Sequence, residues 1–469
     1  MERTTMVKFN FECANIDDLK NSYDFVVIGS GSAGMCAAIQ AQELGLDVAI
    51  FEKLTVLGGN SMRASTGMNA VETLTQLNHQ VIDSQELFYE ETLKGGKGSN
   101  NKELLSYFVR HTESGIEWLS HHNILLNDLI ATGGMSKKRA HRPADAPAIG
   151  SYLVTGLQKQ LMTHHIPVFN ETQVLSLIKT NDHISAVEID HPQIGKKIIN
   201  AKAVLIASGG FARNQAMLSQ YTPELLKLRT TNHPGATGDG IKLATSVGGA
   251  VVDMNKIQVH PTAQQETDHV YLIGEGLRGA GAILVNQNGK RFVNEMATRD
   301  TVTKAINDLQ QNGATLIFDE GIRQAFKAVD FYIAMNLVVS GDTLSELSEK
   351  IDMNGVNLEQ TVADWNTMQE RSKDTQFNRQ AGMERGITLP TYYAIHIKPA
   401  IHYTMGGIKI NSLTEVLNEA DGTILGLYAA GEVTGGLHGD NRIGGNSISE
   451  TVVFGRQAGK QVAKFILER

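Results

Sequence analysis

The sequence predicts an α/β chain in which a Rossmann-like, dinucleotide-binding domain is interrupted by an inserted α+β capping domain. Three stretches carry this reading. Tyr23-Asp-Phe-Val-Val-Ile-Gly-Ser-Gly-Ser-Ala-Gly34 sets Gly29, Gly31 and Gly34 in a G-x-G-x-x-G pattern directly behind an apolar strand. A second strand at 47–51 ends on Glu52, the acid that such a fold places at a ribose about 20 residues after the glycines. Near the other end, Ile424-Leu-Gly-Leu-Tyr-Ala-Ala-Gly-Glu432 is again a strand closing on glycine and an acid, and a loop with a long amphipathic helix follows at 444–468. A late strand and helix of this kind complete the sheet begun near residue 23. That makes 257–402 an insertion between 23–256 and 403–469, with 1–22 a short N-terminal extension.

Each element has a local reason. Phe25, Val26, Val27 and Ile28 form the continuous apolar run of a buried parallel strand, and 33–44 has the small and apolar residues of a helix packed closely on a sheet. Gly29 makes the tight turn, Gly31 lets the backbone approach a pyrophosphate, and Gly34 lets helix and strand pack closely, leaving the diphosphate at the helix N-terminus. To this point NAD and FAD fit equally well. Residues 57–70, rich in Gly, Ser and Asn, read as a loop able to wrap a long cofactor. Helical periodicity covers 83–93 and 101–121, with Leu104, Leu105, Phe108, Ile116, Trp118 and Leu119 as packed side chains. The basic segment 133–143 reads as a solvated face or a wall near an anion, and leads into a helix at about 150–162. Residues 174–178, 184–189 and 197–200 look like a small antiparallel meander, and 203–210 like a separate buried strand belonging to the main sheet. Thr237-Gly-Asp-Gly240 opens a helix. Gly274-Glu-Gly-Leu-Arg-Gly279 repeats the glycine pattern, but a short strand follows where a nucleotide fold needs a helix, so it is not read as a second nucleotide site. Residues 301–375 read as a mixed helical region with little chemistry, and 401–407 as a lead into a short strand.

Composition narrows the classes. Two cysteines, Cys13 and Cys36, leave no scope for a disulfide scaffold, a cysteine-rich metal site or a four-cysteine iron–sulfur cluster, and no metal is expected. A net charge of −8 carries no nucleic-acid footprint, so a small anionic substrate needs local positive charge to hold it. Residues 1–22 lack the apolar core of a signal peptide, and no apolar run is long enough to span a bilayer. The expectation is a cytoplasmic monomer without nucleic-acid or membrane partners, supplied with electrons by an external donor.

The polar residues at the inferred domain seam are the candidates for chemistry. His260 precedes Pro261, Glu275 and Arg278 lie three residues apart, Arg291 and Arg299 bracket one polar stretch, and His402 and Arg442 sit in glycine-containing turns. Clefts between domains are preferred small-molecule sites, and loops carry function. A histidine and arginine cluster with few carboxylates and no cysteine suits a small carboxylate substrate better than a metal, because the guanidinium fork matches a planar carboxylate.

Taken together, residues 29–34, 57–70, 259–262, 275–278, 289–300, 402–407 and 431–446 resemble the flavin subunits of fumarate reductases. Within that superfamily, shared with succinate dehydrogenase and L-aspartate oxidase, the pattern is most similar to the soluble flavocytochrome c type, from about residue 22 onward. The resemblance selects FAD as the nucleotide and implies a mobile capping domain. It implies cofactor contacts at Gly29, Gly31, Ser32, Ala33, Gly34, Glu52, Lys53, Gly59, Asn60, Ser61, Gly67, Val174, Asp239, Glu432, Ser447 and Ile448. With no histidine from 54 to 77, where membrane-bound relatives attach the flavin, the FAD is expected to be noncovalent.

By the same likeness His260, His402 and Arg442 clamp the substrate carboxylates, Arg299 donates the proton, and Glu275 with Arg278 relays it. The implied reaction is reduction of fumarate to succinate, with a urocanate-like or aryl-acrylate substrate, or an L-aspartate oxidase-like oxidation, as alternatives. The implied electron donor is an NADH-dependent reductase, a reduced flavin or similar. Two departures from the family bear on specificity: Gly274 stands where relatives carry Thr, removing a hydroxyl, and Asp440 stands where a small residue is common, adding negative charge beside Arg442.

Overall fold

The computed structural model describes residues 9–144 and 148–468. Residues 1–8 of the expected N-terminal extension lie outside the described residues. The glycine-turn strand Ser22–Ile28 lies inside an eight-stranded sheet, paired in parallel with Val48–Phe51 on one side and Gly195–Ile206 on the other. Val27 thus stands opposite both Ile50 and Leu205, which explains why its run is apolar without alternation. The late strand Thr423–Ala429 adds in parallel to Gly195–Ile206, placing Tyr428 against Leu205. The final helix Asn446–Leu467 packs on the first helix Ser32–Glu43 so closely that a Cβ on Gly455 would meet the Ala33 carbonyl oxygen at 2.6 Å, and one on Gly459 that of Ala37 at 2.6 Å.

One sequence expectation needs correction here. The meander is not a separate unit: its third strand and the buried strand at 203 are one strand, Gly195–Ile206. Its first half pairs antiparallel with His183–His191 and its second half enters the parallel core. The mixed helical region 301–375 also contributes Ala314–Asp319, a wholly buried strand. It reads as helical context because it is short and flanked by helices.

The second sheet has six strands and is antiparallel throughout, in the order Tyr271–Leu272, Ile257–Gln264, Tyr392–Thr404, Ala314–Asp319, Ile283–Val285, with Val339–Gly341 on the long strand's edge. It forms the inserted capping layer and has its own apolar core around Leu284, Leu316, Phe318, Trp365 and Ile395, apart from the core of the first sheet. The run expected to lead into a short strand is the end of the thirteen-residue strand Tyr392–Thr404. His402 therefore stands on the capping sheet, beside His260 on Ile257–Gln264. That strand pair slips register between Gln258 and Val259, leaving His402 as the extra residue, and again after His260. Bulges re-aim side chains, and here His402 leaves the ladder to line the cavity against the first domain while His260 stays paired with Ala400.

Candidate active site

One cavity runs along the face between the two sheets, from the glycine turn to the capping strands. Its first half has the makings of a dinucleotide cradle. Gly29 has φ +107°, and a Cβ there would meet the Ala207 carbonyl oxygen at 2.5 Å, so only glycine makes this turn. A Cβ on Gly31 would meet nothing nearer than Ser61 Oγ at 3.8 Å, leaving backbone open to a ligand. Gly34 lies off the cavity, its Cα only a van der Waals step from the Gly29 carbonyl, and serves the helix–strand packing.

Every other expected cofactor residue lines the wall: Gly29, Gly31, Ser32, Ala33, Glu52, Lys53, Gly59, Asn60, Ser61, Gly67, Val174, Asp239, Glu432, Ser447 and Ile448. The buried Glu52 carboxylate is fixed by Ser30 N (3.1 Å), Ser30 Oγ (2.7 Å) and Leu54 N (2.9 Å). Lys53 Nζ donates to Asp239 Oδ2 at 2.6 Å, and Ser61 Oγ accepts from Ser32 N at 3.1 Å. Burial pushes the Glu432 carboxyl up to about 7, against the hydrogen bonds it accepts from Thr404 N and Asn60 Nδ2. Ser208, which the sequence reading missed, lines the same wall with a buried Oγ that has no partner among the described residues. Exposed glycine backbone, a fixed carboxylate, hydroxyls and the first turn of Asn446–Leu467 are the donor set that ribose, diphosphate and an electron-rich ring require.

The second half of the cavity is lined by Arg299, His402 and Arg442. Arg299 opens the helix Arg299–Asp308 and is held from two sides, Nε donating to Glu275 Oε2 at 2.9 Å and Nη1 to Gln258 Oε1 at 2.9 Å. Glu275 also accepts from Gly133 N; burial would raise its carboxyl, but Arg299 and Arg278 hold it below the usual carboxylate range. Arg278 stands behind it, its Nη2 at 4.0 Å from Glu275 Oε2, with Nη1 on the Glu295 carbonyl and Nε and Nη2 unpartnered among the described residues. Burial lowers Arg278 to about 10. Arg442 is likewise lowered to about 10, by burial and then by Arg299. Its guanidinium lies 4.3 Å from the Tyr403 ring centroid and its Nε is unpartnered among the described residues.

His260 and His402 meet edge to face with centroids 5.1 Å apart. Thr262 N donates to His260 Nδ1 at 3.2 Å, which assigns the proton of the neutral ring to Nε2, a buried donor with no partner among the described residues. Burial, then Arg299, holds both rings well below the ordinary histidine range. His402 Nδ1 is fixed at 2.8 Å from Thr231 Oγ1. The structure thus gathers unpartnered donors on Arg442 and His260 around the cavity that Arg299 and His402 line. Arg299 and Arg278 share the carboxylate of Glu275, while Arg442 has no carboxylate within ion-pair distance among the described residues. The chemistry of this cluster, cationic and rich in hydrogen-bond donors, suits an anion rather than a metal ion.

Other expected features fall elsewhere. Arg291 is in the capping core, bonded to Glu295 at 2.8 Å and Asp374 at 2.9 Å. The basic segment is no anion wall: Arg139 is fully buried against Asp83 (2.6 Å) and Glu91, and Arg142 pairs with Asp128 at 2.7 Å. Asp440 does not load Arg442 with negative charge, because it turns away to Lys256 (2.9 Å) and Ser99 (2.7 Å). The absence of a side chain at Gly274 is compensated in space: a Cβ there would meet Ser65 Oγ at 2.8 Å and Phe326 at 3.3 Å, and Ser65 lines the cavity with Arg299, His402 and Arg442.

Sequence reasoning also missed Gln258, which orients Arg299 and, through Nε2, holds the Arg442 carbonyl at 2.6 Å. It missed the buried triad beneath Arg442 too, where Glu450 Oε2 accepts from Tyr403 Oη at 2.5 Å and lies 2.9 Å from His438 Nε2. A glutamine two residues before a site histidine, and a glutamate one turn into a helix after Ser447, carry no motif; only their proximity in the fold assigns them.

A nucleotide cradle on a parallel sheet, with a carboxylate-binding cluster under an inserted antiparallel sheet, defines a two-domain flavoprotein oxidoreductase. The family model described as FAD binding domain matches residues 24–448, and the chain belongs to this family of FAD-binding flavoproteins, related to the fumarate reductases and succinate dehydrogenases. An NADH:fumarate oxidoreductase of Klebsiella pneumoniae is 46% identical over 448 residues, which cover 96% of this chain and 48% of the relative; the chain spans about half that protein's length. A fumarate reductase (cytochrome) of Shewanella frigidimarina is 39% identical over 446 residues, covering 95% of this chain and 78% of the relative. A solved flavocytochrome c3 fumarate reductase in an open conformation superposes with a TM-score of 0.77 at 37% identity, covering 96% of this chain and 80% of the other. The cofactor is noncovalent FAD. Among the described residues no helix is long and apolar enough to cross a membrane.

Proposed function

We propose that this chain reduces fumarate to succinate, with Arg299 as proton donor. The carrying observation is the placement of Arg299: a guanidinium on the cavity wall, pinned by Glu275 and Gln258, with His402 and Arg442 lining the same space. FAD, when bound along the cradle, supplies the hydride. His260 Nε2, His402 and Arg442 bind and orient the two carboxylates, and drawing charge into them leaves the double bond electron-poor. Arg299 gives a proton to the carbon left carbanionic. A guanidinium is a feeble acid in water, but the nascent carbanion is more basic, and the positive charge also stabilises the transition state. Glu275, in contact with Arg299 Nε, is placed to return the proton, with Arg278 next behind it. The capping layer that carries His260, His402, Glu275 and Arg299 closes the cavity against water, which strengthens each of these interactions.

The test is anaerobic reoxidation of viologen-reduced holoprotein by fumarate, urocanate, cinnamate and iminoaspartate in parallel. Fumarate should reoxidise the flavin fastest and yield succinate. Preference for a substrate with one carboxylate would overturn the dicarboxylate reading, and reoxidation by none of them would overturn the reductase.

A further inference from the structure

A second cavity, of about 320 Å³, opens beside the first and shares Arg63 with it. Arg213 and Arg229 also line it, with His269. Each guanidinium is anchored by backbone carbonyls: Arg63 Nη1 on Thr231 (3.1 Å), Arg213 Nε on Asn232 (3.0 Å), and Arg229 Nη1 on Gln265 (2.9 Å) and Thr267 (2.8 Å) and Nη2 on Asp268. None has a carboxylate partner within ion-pair distance among the described residues. The one acid of the lining, Asp268, meets Arg229 through its carbonyl rather than its carboxylate. In a chain of net charge −8, three oriented, unneutralised arginines around one hollow form a local positive field. Its neighbours register it: burial, then Arg63, Arg213 and Arg229, lower His269.

We propose that this cavity docks the phosphate of a reduced, phosphorylated redox cofactor, a flavin mononucleotide or a nicotinamide dinucleotide, which passes its electrons to FAD. This rests on the reading of the chain as a reductase. A guanidinium fork matches a phosphate, the volume is of the class that accepts a nucleotide-sized ligand, and the dicarboxylate already has its own clamps in the first cavity. The shared wall at Arg63 puts the docked donor next to the flavin cavity. In the transfer the donor loses two electrons and becomes oxidised, bound FAD gains them, and the accompanying protons come from the donor or from solvent. No bond to the protein forms or breaks.

The experiment follows reduction of the bound FAD by its absorbance in anaerobic stopped flow, without fumarate, so that it stands apart from the choice of substrate. Wild-type holoprotein and Arg213→Glu are mixed with reduced flavin mononucleotide, with NADH, or with reduced methyl viologen, a cation without phosphate. At least one phosphorylated donor should reduce the wild-type flavin, and Arg213→Glu should slow that donor roughly tenfold or more, the scale of one charge-assisted hydrogen bond. The viologen rate should not fall, Arg213→Lys should retain part of the phosphorylated donor's rate because the charge is kept and the fork lost, and inorganic pyrophosphate should compete with the phosphorylated donor alone. Equal slowing of the viologen would assign Arg213 a structural role and overturn the dock. So would an unchanged rate with the phosphorylated donor, or reduction of wild type by viologen only. The two donor arms decide between the flavin and the nicotinamide source.

Discussion

The molecule holds two buried arginine clusters, and they are built on opposite principles. In the capping core Arg291 and Arg379 share Glu295, Arg291 pairs also with Asp374, the two stack at 4.7 and 4.6 Å from the Trp365 ring, and Arg379 directs further donors to the Ala282 and Ala381 carbonyls. At the site Arg299 pairs with Glu275 and Arg278 lies 4.0 Å from the same carboxylate, Arg442 has no carboxylate within ion-pair distance, and nitrogens of Arg278 and Arg442 have no hydrogen-bond partner among the described residues. Burying an unpaired donor costs free energy, which a bound anion would offset. Paired arginines hold the cap together, and the unpaired ones stand where the proposed dianion would bind.

Removing charge from the two clusters should therefore have opposite consequences. Arg299→Ala should cut fumarate reduction by roughly 10²–10³-fold or more, the scale for loss of one transition-state donor, while the folded protein stays yellow with FAD. Turnover within tenfold of wild type would remove Arg299 as the acid. Arg291→Leu should do the reverse. Breaking a buried pair by removing one partner costs about 3–5 kcal/mol, so chemical denaturation should show a strongly destabilised cap, while the folded fraction keeps its catalytic rate. A variant that is stable yet inactive would place Arg291 in the site.

The same contrast explains what could be read from sequence. The nucleotide cradle was legible because its chemistry needs glycine at fixed spacing behind a strand, and every residue so assigned except Gly34 lines the cavity. The reactive cluster was legible only through the order of its motifs along the chain, since no spacing rule joins His260 to His402 or Arg299 to Arg442. What failed was anything decided by direction rather than identity. Arg139 looked like Arg299, an arginine in a glycine-containing polar stretch, but its partners Asp83 and Glu91 are more than forty positions away in the sequence and could not be foreseen. Asp440 adjoins Arg442's loop yet points to Lys256. Gln258 and Ser65 carried no signal until the capping sheet set one against Arg299 and the other against Gly274.

Ser65 offers a finer test of what completes the unsatisfied cluster. Its hydroxyl stands where a side chain on residue 274 would project, and it makes no hydrogen bond to another described residue. Ser65→Ala should raise the KM for fumarate by roughly three- to tenfold with kcat less affected, as expected for a neutral hydrogen bond to a charged ligand. Gly274→Thr alone should be worse than wild type, because the new Cβ would lie 2.8 Å from Ser65 Oγ, and combining it with Ser65→Ala should recover much of the loss. Additive losses in the double variant would show that the two positions do not share a space.

The smallest effect should appear in acid, and it separates the clusters by pH. His260 and His402 are held neutral in the fold by burial and by Arg299, whereas in the unfolded chain they titrate at about 6.5. The unfolded state then binds more protons below that pH, so the stability they contribute is present above about 6.5 and declines as pH falls, with a limiting slope of about 1.4 kcal/mol per pH unit for each ring. In the capping core, burial alone would raise Glu295 and Asp374, but their arginine partners hold both carboxyls below the ordinary range. Their contribution persists through pH 6 and 5 and is lost only as pH falls below their unfolded values near 4. Denaturant titrations of the holoprotein between pH 7 and 3 should show a first decline that His260→Gln reduces, and a later one that it leaves alone. Succinate should shift the first decline and spare the second, because a bound dianion offsets the Arg299 repulsion that adds to burial in keeping the two histidines neutral, and touches nothing in the cap core. An unchanged first limb in His260→Gln would mean that His260 is not held neutral in the fold and that another group carries the decline.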